Sequence, residues 1–178
     1  MKMTITKIIR RFFIPAPIVS VYYWLKYRAI ISPKAEVELN NLLTIGKNTE
    51  IASFVKIKAS DGFVNIGENV LIAVGCSIAS GNIGIEIDNY SMLGPNTSVI
   101  GGNYRYDKLD VPIQKQGSIS KQGVKIGENV WIGANCCILD GADIGSGTII
   151  TPNSVVSSKI PENSIVMGNP AKVIFKRR

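Results

Sequence analysis

The sequence predicts an all-β repeat protein whose chain coils into a prism with three walls, and two observations lead to this fold class. First, Ile, Leu or Val returns at every sixth position through most of residues 45–156. Second, the residue three places later is Asn or Gly in eleven of the fifteen repeats. A period of six matches neither the 3.6-residue turn of an α-helix nor the two-residue alternation of a strand. Each repeat is therefore predicted to form a short strand followed by a tight corner.

The aliphatic residues of the repeat are predicted to point into the prism. The fifteen are Ile45, Ile51, Ile57, Ile66, Ile72, Ile78, Ile87, Leu93, Val99, Ile126, Ile132, Ile138, Ile144, Ile150 and Val156. One place after the predicted corner, many repeats have a small or slim residue suited to a narrow interior: Val70, Cys76, Thr97, Val130, Cys136, Ala142, Thr148 and Ser154. A single coil cannot bury its own apolar face, so the coils must stack.

The corners are predicted from residues that adopt a positive φ at low cost, which is a property of Gly and, to a lesser degree, of Asn. The eleven are Asn48, Asn69, Gly75, Gly81, Asn96, Gly102, Asn129, Asn135, Gly141, Gly147 and Asn153. We expect a left-handed backbone conformation at each of them.

The period is interrupted at three places. Two repeats are nine residues long, which indicates three extra residues at a corner. From Val99 to Ile126 the step is 27 residues, so residues 101–122 cannot belong to a wall and must project as a loop. A long loop in a compact domain is uncommon unless it has a function. A disordered insertion is the alternative, although Tyr104 and Tyr106 offer anchors for packing.

The composition is consistent with one domain of 178 residues. We predict an N-terminal cap over residues 1–34, the coil with its loop over 35–160, and a basic C-terminal segment over 161–178. Eleven of the twenty Lys and Arg residues lie before Glu36 or after Glu162, in stretches without acids. These basic ends suit the phosphates of a cofactor or an anionic membrane surface. Nucleic acid is not predicted as a partner, because the chain has no recognised binding module.

The apolar stretch of residues 12–25 is too short to span a membrane, which needs about twenty residues, and it is interrupted by Pro15 and Pro17. A signal peptide is not favoured either, because no small-residue cleavage site follows the stretch. We predict a cytoplasmic protein in which this segment covers the open edge of the first coil. Peripheral contact with the inner face of the membrane is a further hypothesis.

The cysteines Cys76, Cys136 and Cys137 form an odd set. Two of them take small inward positions, so buried free thiols in a reducing compartment are favoured over a disulfide. The chain has no histidine, and its cysteines lack the spacing of a zinc site. No metal cofactor is therefore predicted.

Four features together carry a family resemblance: the repeats, the motif Ile-Gly-Glu-Asn-Val-Trp-Ile-Gly-Ala-Asn at 126–135, the run Ile-Thr-Pro-Asn-Ser-Val-Val at 150–156, and Ile-Val-Met-Gly-Asn-Pro-Ala-Lys-Val at 165–173. They resemble the hexapeptide-repeat acyltransferases, and within them the sugar O-acetyltransferases of the galactoside and maltose type and of envelope polysaccharide clusters. The resemblance implies a left-handed parallel β-helix, a homotrimer, and acetyl-CoA bound between neighbouring subunits. The acceptor it implies is a sugar hydroxyl in envelope polysaccharide biosynthesis.

The resemblance also implies residues of the binding sites. Those matching family positions near the cofactor are Trp131, Gly133, Ala134, Thr151, Pro152 and Lys172. Lys172 suits the cofactor phosphates, and Asn82 is a candidate for binding the acceptor. A corner role alone is the alternative for Gly133, and trimer packing alone is the alternative for Trp131.

In this family, a histidine on the projecting loop takes the proton from the acceptor hydroxyl as that hydroxyl attacks the thioester. Counting along the loop puts Tyr104 at this position, with Asn103 beside it. A phenol has an ordinary pKa of about 10 and is a poor base at neutral pH, unless Arg105 or Lys108 lowers it. Asp107 is ionised but weakly basic unless buried. Asn103, Tyr104 and Asp107 are the candidate catalytic residues.

Four functions stay open. The protein is a slow O-acetyltransferase that works by proximity and orientation, or one whose base is Asp107 or another loop acid. It transfers an acyl group to the nitrogen of a nucleotide-linked amino sugar, or it is a noncatalytic trimeric relative that binds the cofactor. Because losing a general base typically costs about 10²- to 10⁴-fold, O-acetyl transfer remains the first prediction. An acyl intermediate on cysteine is the least favoured, because Cys136 is predicted to point inward.

Overall fold

The computed structural model describes residues 15–59 and 61–178. In these residues the chain forms one α-helix, α1 (Ala16–Tyr27), one 3₁₀ helix (Ile113–Lys115) and twenty-two short strands. Wall A contains Ile30–Ile31, Glu50–Ile51, Leu71–Ile72, Met92–Leu93, Trp131–Ile132, Ile149–Ile150, Ser164–Gly168 and Ala171–Lys176. Wall B contains Glu36–Val37, Lys56–Lys58, Ser77–Ala79, Ser98–Ile100, Cys137–Leu139 and Val155–Val156. Wall C contains Leu43–Ile45, Val64–Ile66, Ile85–Ile87, Val124–Ile126, Asp143–Ile144 and Lys159–Ile160.

The interior of the prism confirms the predicted fold class. Neighbouring strands within each wall are parallel and in register, apart from the final antiparallel pair of wall A. In wall A, for example, Leu93 pairs with Ile72 on one side and with Ile132 on the other. All fifteen predicted aliphatic residues are buried, as are the small residues after the corners. Each buried Ile or Leu contributes about 1.5–3 kcal/mol of transfer free energy, so the stacked ladders are the main source of stability.

The corners differ from the prediction at four positions. Nine of the eleven predicted Asn and Gly residues have a positive φ, but Gly81 and Gly102 do not. That expectation was wrong because both begin longer excursions of the chain, one an insertion and one the projecting loop, rather than a tight corner. Conversely, Phe54 (φ 62°) and Tyr90 (φ 60°) adopt the left-handed conformation although bulky residues rarely do.

Helix α1 covers the N-terminal end of the prism. Pro17 lies in its first turn, where a missing N–H costs nothing, and Arg28 ends it in the left-handed conformation (φ 56°). Val19 and Tyr23 are buried against the first coil, and the Tyr23 hydroxyl donates a 3.0 Å hydrogen bond to the Glu38 carbonyl oxygen. This burial raises the pKa of Tyr23. Residues 1–14 of the predicted cap lie outside the described residues.

The coil extends beyond the limits predicted for it at both ends. Parallel pairing begins with Ile30–Ile31 and continues through Ser164–Gly168, which pairs with Ile149–Ile150. The strand Ala171–Lys176 then turns back and pairs antiparallel with Ser164–Gly168, so part of the predicted basic segment completes wall A. The physical reason is that the six-residue phase is lost between Val37 and Ile45 and between Val156 and Ile160, although the strands beyond these points still bury an aliphatic residue and pair with the adjacent strand.

The outer faces of walls A and C differ in chemistry. The outward row of wall C is polar or charged: Thr44, Asn65, Glu86, Lys125, Asp143 and Lys159. Two ion pairs lie along it, Lys159 with Asp143 at 3.3 Å and Lys125 with Glu86 at 4.0 Å. The outward row of wall A is mostly apolar: Ile30, Glu50, Leu71, Met92, Trp131, Ile149, Ile165 and Phe175. Wall A therefore presents an exposed apolar surface and wall C a solvated one.

Candidate active site

The projecting loop (residues 101–122) leaves the prism at the edge between walls B and C. Its two arms pair as an antiparallel hairpin, Asn103–Tyr104 with Ser118–Ile119, and Arg105 donates its backbone N–H to the Gly117 carbonyl at 2.9 Å. Most loop residues are exposed. The loop is thus an ordered extension rather than part of a wall, as the 27-residue step predicted.

The base of the projecting loop is fixed by polar contacts at the same edge. Ser120 donates its hydroxyl to the Gly101 carbonyl (3.0 Å) and accepts the backbone N–H of Asn82 (3.0 Å). A Cβ on Gly81 would collide with the Gly101 carbonyl oxygen, so glycine allows the loop base to approach the neighbouring coil. Asn82, the predicted acceptor-binding residue, is exposed and lies beside the loop base.

Asp140 is a buried carboxylate that holds the returning arm of the loop. Its two oxygens accept the backbone N–H groups of Lys121 (2.6 Å), Gln122 (3.2 Å) and Gly123 (2.9 Å). Its side chain is 3% exposed. Hydrogen bonds to a charged acceptor are among the stronger ones in proteins. Asp140 therefore determines where the loop rejoins wall C.

Replacing Asp140 with Ala is expected to lower the free energy of unfolding by about 3 kcal/mol, because buried N–H groups lose their acceptor. Amides of residues 121–123 should exchange with solvent at least about tenfold faster. Asp143→Asn is the matched control, since Asp143 forms a half-exposed ion pair with Lys159 worth about 1 kcal/mol or less. Thermal unfolding and hydrogen exchange measure both variants. An equal loss of unfolding free energy in the two variants would contradict the anchoring role of Asp140.

The candidate catalytic residues lie on the outward arm of the loop. Asn103 pairs with Ile119, and Tyr104 pairs with Ser118. Both are exposed, as is Asp107. The tip beyond them is closed by Gln116, whose amide nitrogen donates to the carbonyls of residues 108 and 111, each at 2.7 Å. The three candidates thus stand on an ordered hairpin that presents their side chains to solvent.

The predicted cofactor residues form a separate group on wall A and at its edge with wall B. Trp131 lies on the outer face of wall A, with 51% of its surface exposed. Gly133 follows it, and Thr151, Met167 and Lys172 lie on the successive neighbouring strands in the same row. Because strands are about 4.8 Å apart, this row spans about 14 Å. It offers a continuous edge that ends at the cationic side chain of Lys172.

Stacking of neighbouring coils explains why some of these residues lie at this edge. A Cβ on Gly133 would lie 2.6 Å from the backbone nitrogen of Pro152, so glycine is required for the two coils to stack. The Ala134 carbonyl accepts the Asn153 N–H at 3.0 Å. The hydroxyls of Thr151 and Ser154 lie 3.2 Å apart. Ala134 and Thr151 are half-buried and Pro152 is exposed, so the edge has accessible surface for a ligand.

The two groups of candidate residues lie at different edges of the prism. The edge between walls B and C, which carries Tyr104, is the edge opposite wall A, which carries Trp131. Hydrogen bonds that link the loop to the rest of the described chain go to residues at that same edge, including Asn82 and Asp140. Within one chain, the catalytic candidates and the cofactor candidates are therefore carried by different edges of the prism.

The cysteines are free in the structure. Cys76 and Cys136 are buried, and burial raises the pKa of both thiols. The Cys136 sulfur donates to the Thr151 carbonyl at 3.2 Å. A protonated, inward-facing thiol is a poor nucleophile, which agrees with the low rank given to an acyl-cysteine intermediate.

Sequence reasoning missed the residues that hold the loop, namely Asp140, Ser120 and Gln116. One signal was available for Asp140. Two places after the aliphatic residue of wall B, three other coils have Ala59, Ser80 and Gly101, so an acid at this position departs from a small-residue series. No comparable signal marks Ser120 or Gln116, because the loop lies outside the repeat.

Comparison with known proteins identifies the class. A family model described as bacterial transferase hexapeptide (six repeats) matches residues 123–158. The putative lipopolysaccharide biosynthesis O-acetyl transferase WbbJ of Escherichia coli K12 is 34% identical over 157 residues, covering 73% of this chain and 80% of that protein. The chain therefore belongs to the bacterial hexapeptide transferase family of acyltransferases, and its fold is the left-handed parallel β-helix.

Other relatives agree on the class. A probable acetyltransferase of Mycobacterium tuberculosis is 32% identical over 136 residues. This match covers 76% of the chain but 45% of that protein, so the chain spans less than half of its length. Among solved structures, a mutant of AntD, an N-acyltransferase from Bacillus cereus, in complex with dTDP-4-amino-4,6-dideoxyglucose and coenzyme A, superimposes with a TM-score of 0.74 and 25% identity. That match covers 85% of this chain and 82% of the other.

Proposed function

We propose that the protein is a cytoplasmic homotrimer that transfers an acetyl group from acetyl-CoA to a sugar hydroxyl in envelope polysaccharide biosynthesis. The observation that carries this proposal is the separation of the two residue groups on one chain. Because the loop and the cofactor candidates lie at different edges of the prism, we expect the complete site to form where the loop of one protomer meets wall A of another. Cyclic symmetry supplies the same contact to every protomer.

The outer face of wall A supports the homotrimer. Its apolar row includes Leu71, Met92 and Trp131, each between about a third and a half exposed in the single chain. An apolar surface of this kind is favourably buried against a second copy, at roughly 25 cal/mol per Å² of apolar area. Wall C, with its ion pairs, is unsuited to the same burial.

In the proposed site, wall A and its edge hold the acyl donor. Lys172 is exposed at the end of the row and suits negatively charged phosphates as a compact cation. Trp131 offers a ring face beside the edge, and Thr151 offers a hydroxyl and backbone groups. The donor supplies an acyl group activated as a thioester. These residues are proposed to bind and orient the donor. Holding the reacting groups in the correct geometry can supply a large part of an enzyme's rate enhancement.

The loop residues of the adjoining protomer then act on the acceptor. Asn103 is suited to hydrogen bond with a sugar hydroxyl, and Asn82 at the loop base is suited to bind the rest of the sugar. The attacking hydroxyl loses its proton to a nearby base, for which Tyr104 and Asp107 are the candidates. With no histidine in the chain, we expect hydroxyl-directed transfer to be slow.

A second candidate function is acyl transfer to a nucleotide-linked amino sugar. The absence of histidine favours this second function, because a neutral amine attacks the thioester without losing a proton first. The similarity to an N-acyltransferase structure that holds a nucleotide-linked amino sugar and coenzyme A is a further argument. The two functions share the donor site and differ in the acceptor.

One assay separates the candidates. The full chain is incubated with acetyl-CoA and with matched hydroxyl and amino sugars, free and nucleotide-linked, while thiol release and acetylated product are measured. Product with hydroxyl sugars supports the first function, and product with amino sugars alone supports the second. Saturable acetyl-CoA binding without product from either class would overturn both and leave a noncatalytic relative.

A further inference from the structure

Helix α1 is apolar on two opposite faces. Val19 and Tyr23, four residues apart, are buried against the end of the prism. On the other side, Ile18, Val21 and Leu25 follow the spacing of a single helical face and are 58%, 55% and 66% exposed. A helix with this all-round apolar character is normally enclosed by protein or lipid. The outward face of α1 (Ile18, Val21 and Leu25) therefore lacks a partner within the described part of the chain.

Aromatic residues flank the outward face. Tyr22 and Trp24 lie on either side of it and are 41% and 48% exposed. Such rings combine a large apolar surface with a polar group, and they are enriched where a bilayer meets water. Among the described residues, no helix is long and apolar enough to cross a membrane. A helix too short to span a bilayer can still lie along its surface.

A rim of cations accompanies these aromatic residues. The Lys26 ammonium donates a 3.0 Å hydrogen bond to the Tyr22 hydroxyl, which raises the pKa of Lys26, and it lies 4.8 Å from the Tyr27 ring centroid. The Arg28 guanidinium lies 5.5 Å from the Trp24 ring centroid. The sequence has no acid before Glu36. The charged side chains of α1 and of Arg28, which ends it, are thus all positive.

We propose that the outward face of α1 binds the surface of an anionic lipid bilayer, with Ile18, Val21 and Leu25 inserted among the acyl chains and the cationic rim at the headgroups. Charge decides between this partner and a second copy of the chain. Two copies joined face to face would bring their rims of Lys26 and Arg28 together, and like charges in contact are unfavourable. An anionic bilayer supplies both the apolar layer and the opposite charge.

Symmetry strengthens the contact where the protein forms the homotrimer proposed above. Equivalent helices in a cyclic trimer lie at the same height along the symmetry axis, so three outward faces of α1 meet one plane together. Linked weak contacts can increase overall affinity by about 10²-fold or more without any new interaction. Only this multiplicity depends on the proposed function. The membrane contact itself rests on α1.

The test is co-sedimentation of the full chain with vesicles at low salt. Wild type should sediment with vesicles containing about 30 mole per cent phosphatidylglycerol and much less with pure phosphatidylcholine. The double variant Ile18→Asp/Leu25→Asp should lose at least about tenfold in partitioning, because charged groups resist insertion. Lys26→Gln/Arg28→Gln should weaken binding to the anionic vesicles. Leu109→Asp, a fully exposed position at the loop tip, is the matched control and should bind like wild type.

Two results would overturn the proposal. One is wild type that stays in solution with anionic vesicles. The other is an Ile18→Asp/Leu25→Asp variant that sediments as wild type does, or that instead loses its oligomeric state in sedimentation velocity, since this would make a second copy the partner. Acetyl transfer to a soluble sugar should be unchanged in this variant, so the membrane contact and the proposed activity are tested separately.

Discussion

Replacing Tyr104 with His is expected to raise transfer to a sugar hydroxyl by about a hundredfold or more, because it places a general base of suitable pKa where the chain has a phenol. Tyr104 stands exposed on the hairpin, so a smaller ring is expected to fit without disturbing the coil. The gain should appear as the pH rises through about 6.5, since only neutral imidazole accepts the proton. Steady-state kinetics with acetyl-CoA and a hydroxyl sugar, measured across this pH range, provide the test.

Tyr106→His is the matched control, because Tyr106 is also an exposed tyrosine of the loop, two residues further along. It should leave the rate unchanged within a few fold. If both variants gain equally, or if Tyr104→His gains nothing while remaining folded, Tyr104 does not occupy the position of the base. A gain restricted to hydroxyl acceptors, with transfer to amines unaffected, would further support that assignment.

Two inactive variants should restore activity when they share a trimer. In the loop variant Asn103→Ala/Tyr104→Ala, the acceptor side of the site is lost, and in Lys172→Glu the donor side is lost. The transfer activity of each variant alone is expected to be about a hundredfold lower than that of wild type. A mixed trimer contains one interface with an intact loop and an intact wall A, so it should recover about one third of wild-type activity. Co-expression with two different tags and purification through both isolates the mixed trimers.

The control for this complementation is the loop variant co-expressed with itself under the two tags, which should show no recovery. Mixed trimers without activity would mean that the loop and wall A of a single chain form the site after all. Wild-type activity in Lys172→Glu alone would remove Lys172 from the donor site. Mass measurement of the purified species confirms that the mixture contains both chains.

The inner ladders could be predicted from the sequence because the physical cause is local and repeated. Each coil needs an inward aliphatic residue at the same place in its wall, as Ile72, Leu93 and Ile132 show. A period of six in the sequence therefore becomes a stack of side chains in space. The projecting loop was predictable for the converse reason, since 21 residues beyond the ordinary step fit no wall. The same reasoning failed at Gly81 and Gly102, where a corner residue begins an excursion instead of a tight turn.

The anchors of the loop could not be predicted because their partners are distant in sequence. Asp140 accepts N–H groups that are 17 to 19 residues away, and its role depends on the stacking of two coils. The second apolar face of α1 could not be predicted from the sequence either. Residues 12–25 read as uniformly apolar, and only packing shows which side Val19 and Tyr23 bury and which side is left exposed.

The sequence by itself determined the three-walled coil, the resemblance to the acyltransferases and the missing histidine, because a repeated pattern and a composition are properties of the chain alone. Only the tertiary structure decided that Tyr104 and Trp131 lie at different edges of the prism, since this follows from which edge the loop leaves and which wall is apolar. Distances between walls are set by closure of the coil. That geometry is why we expect the proposed site to include a second protomer.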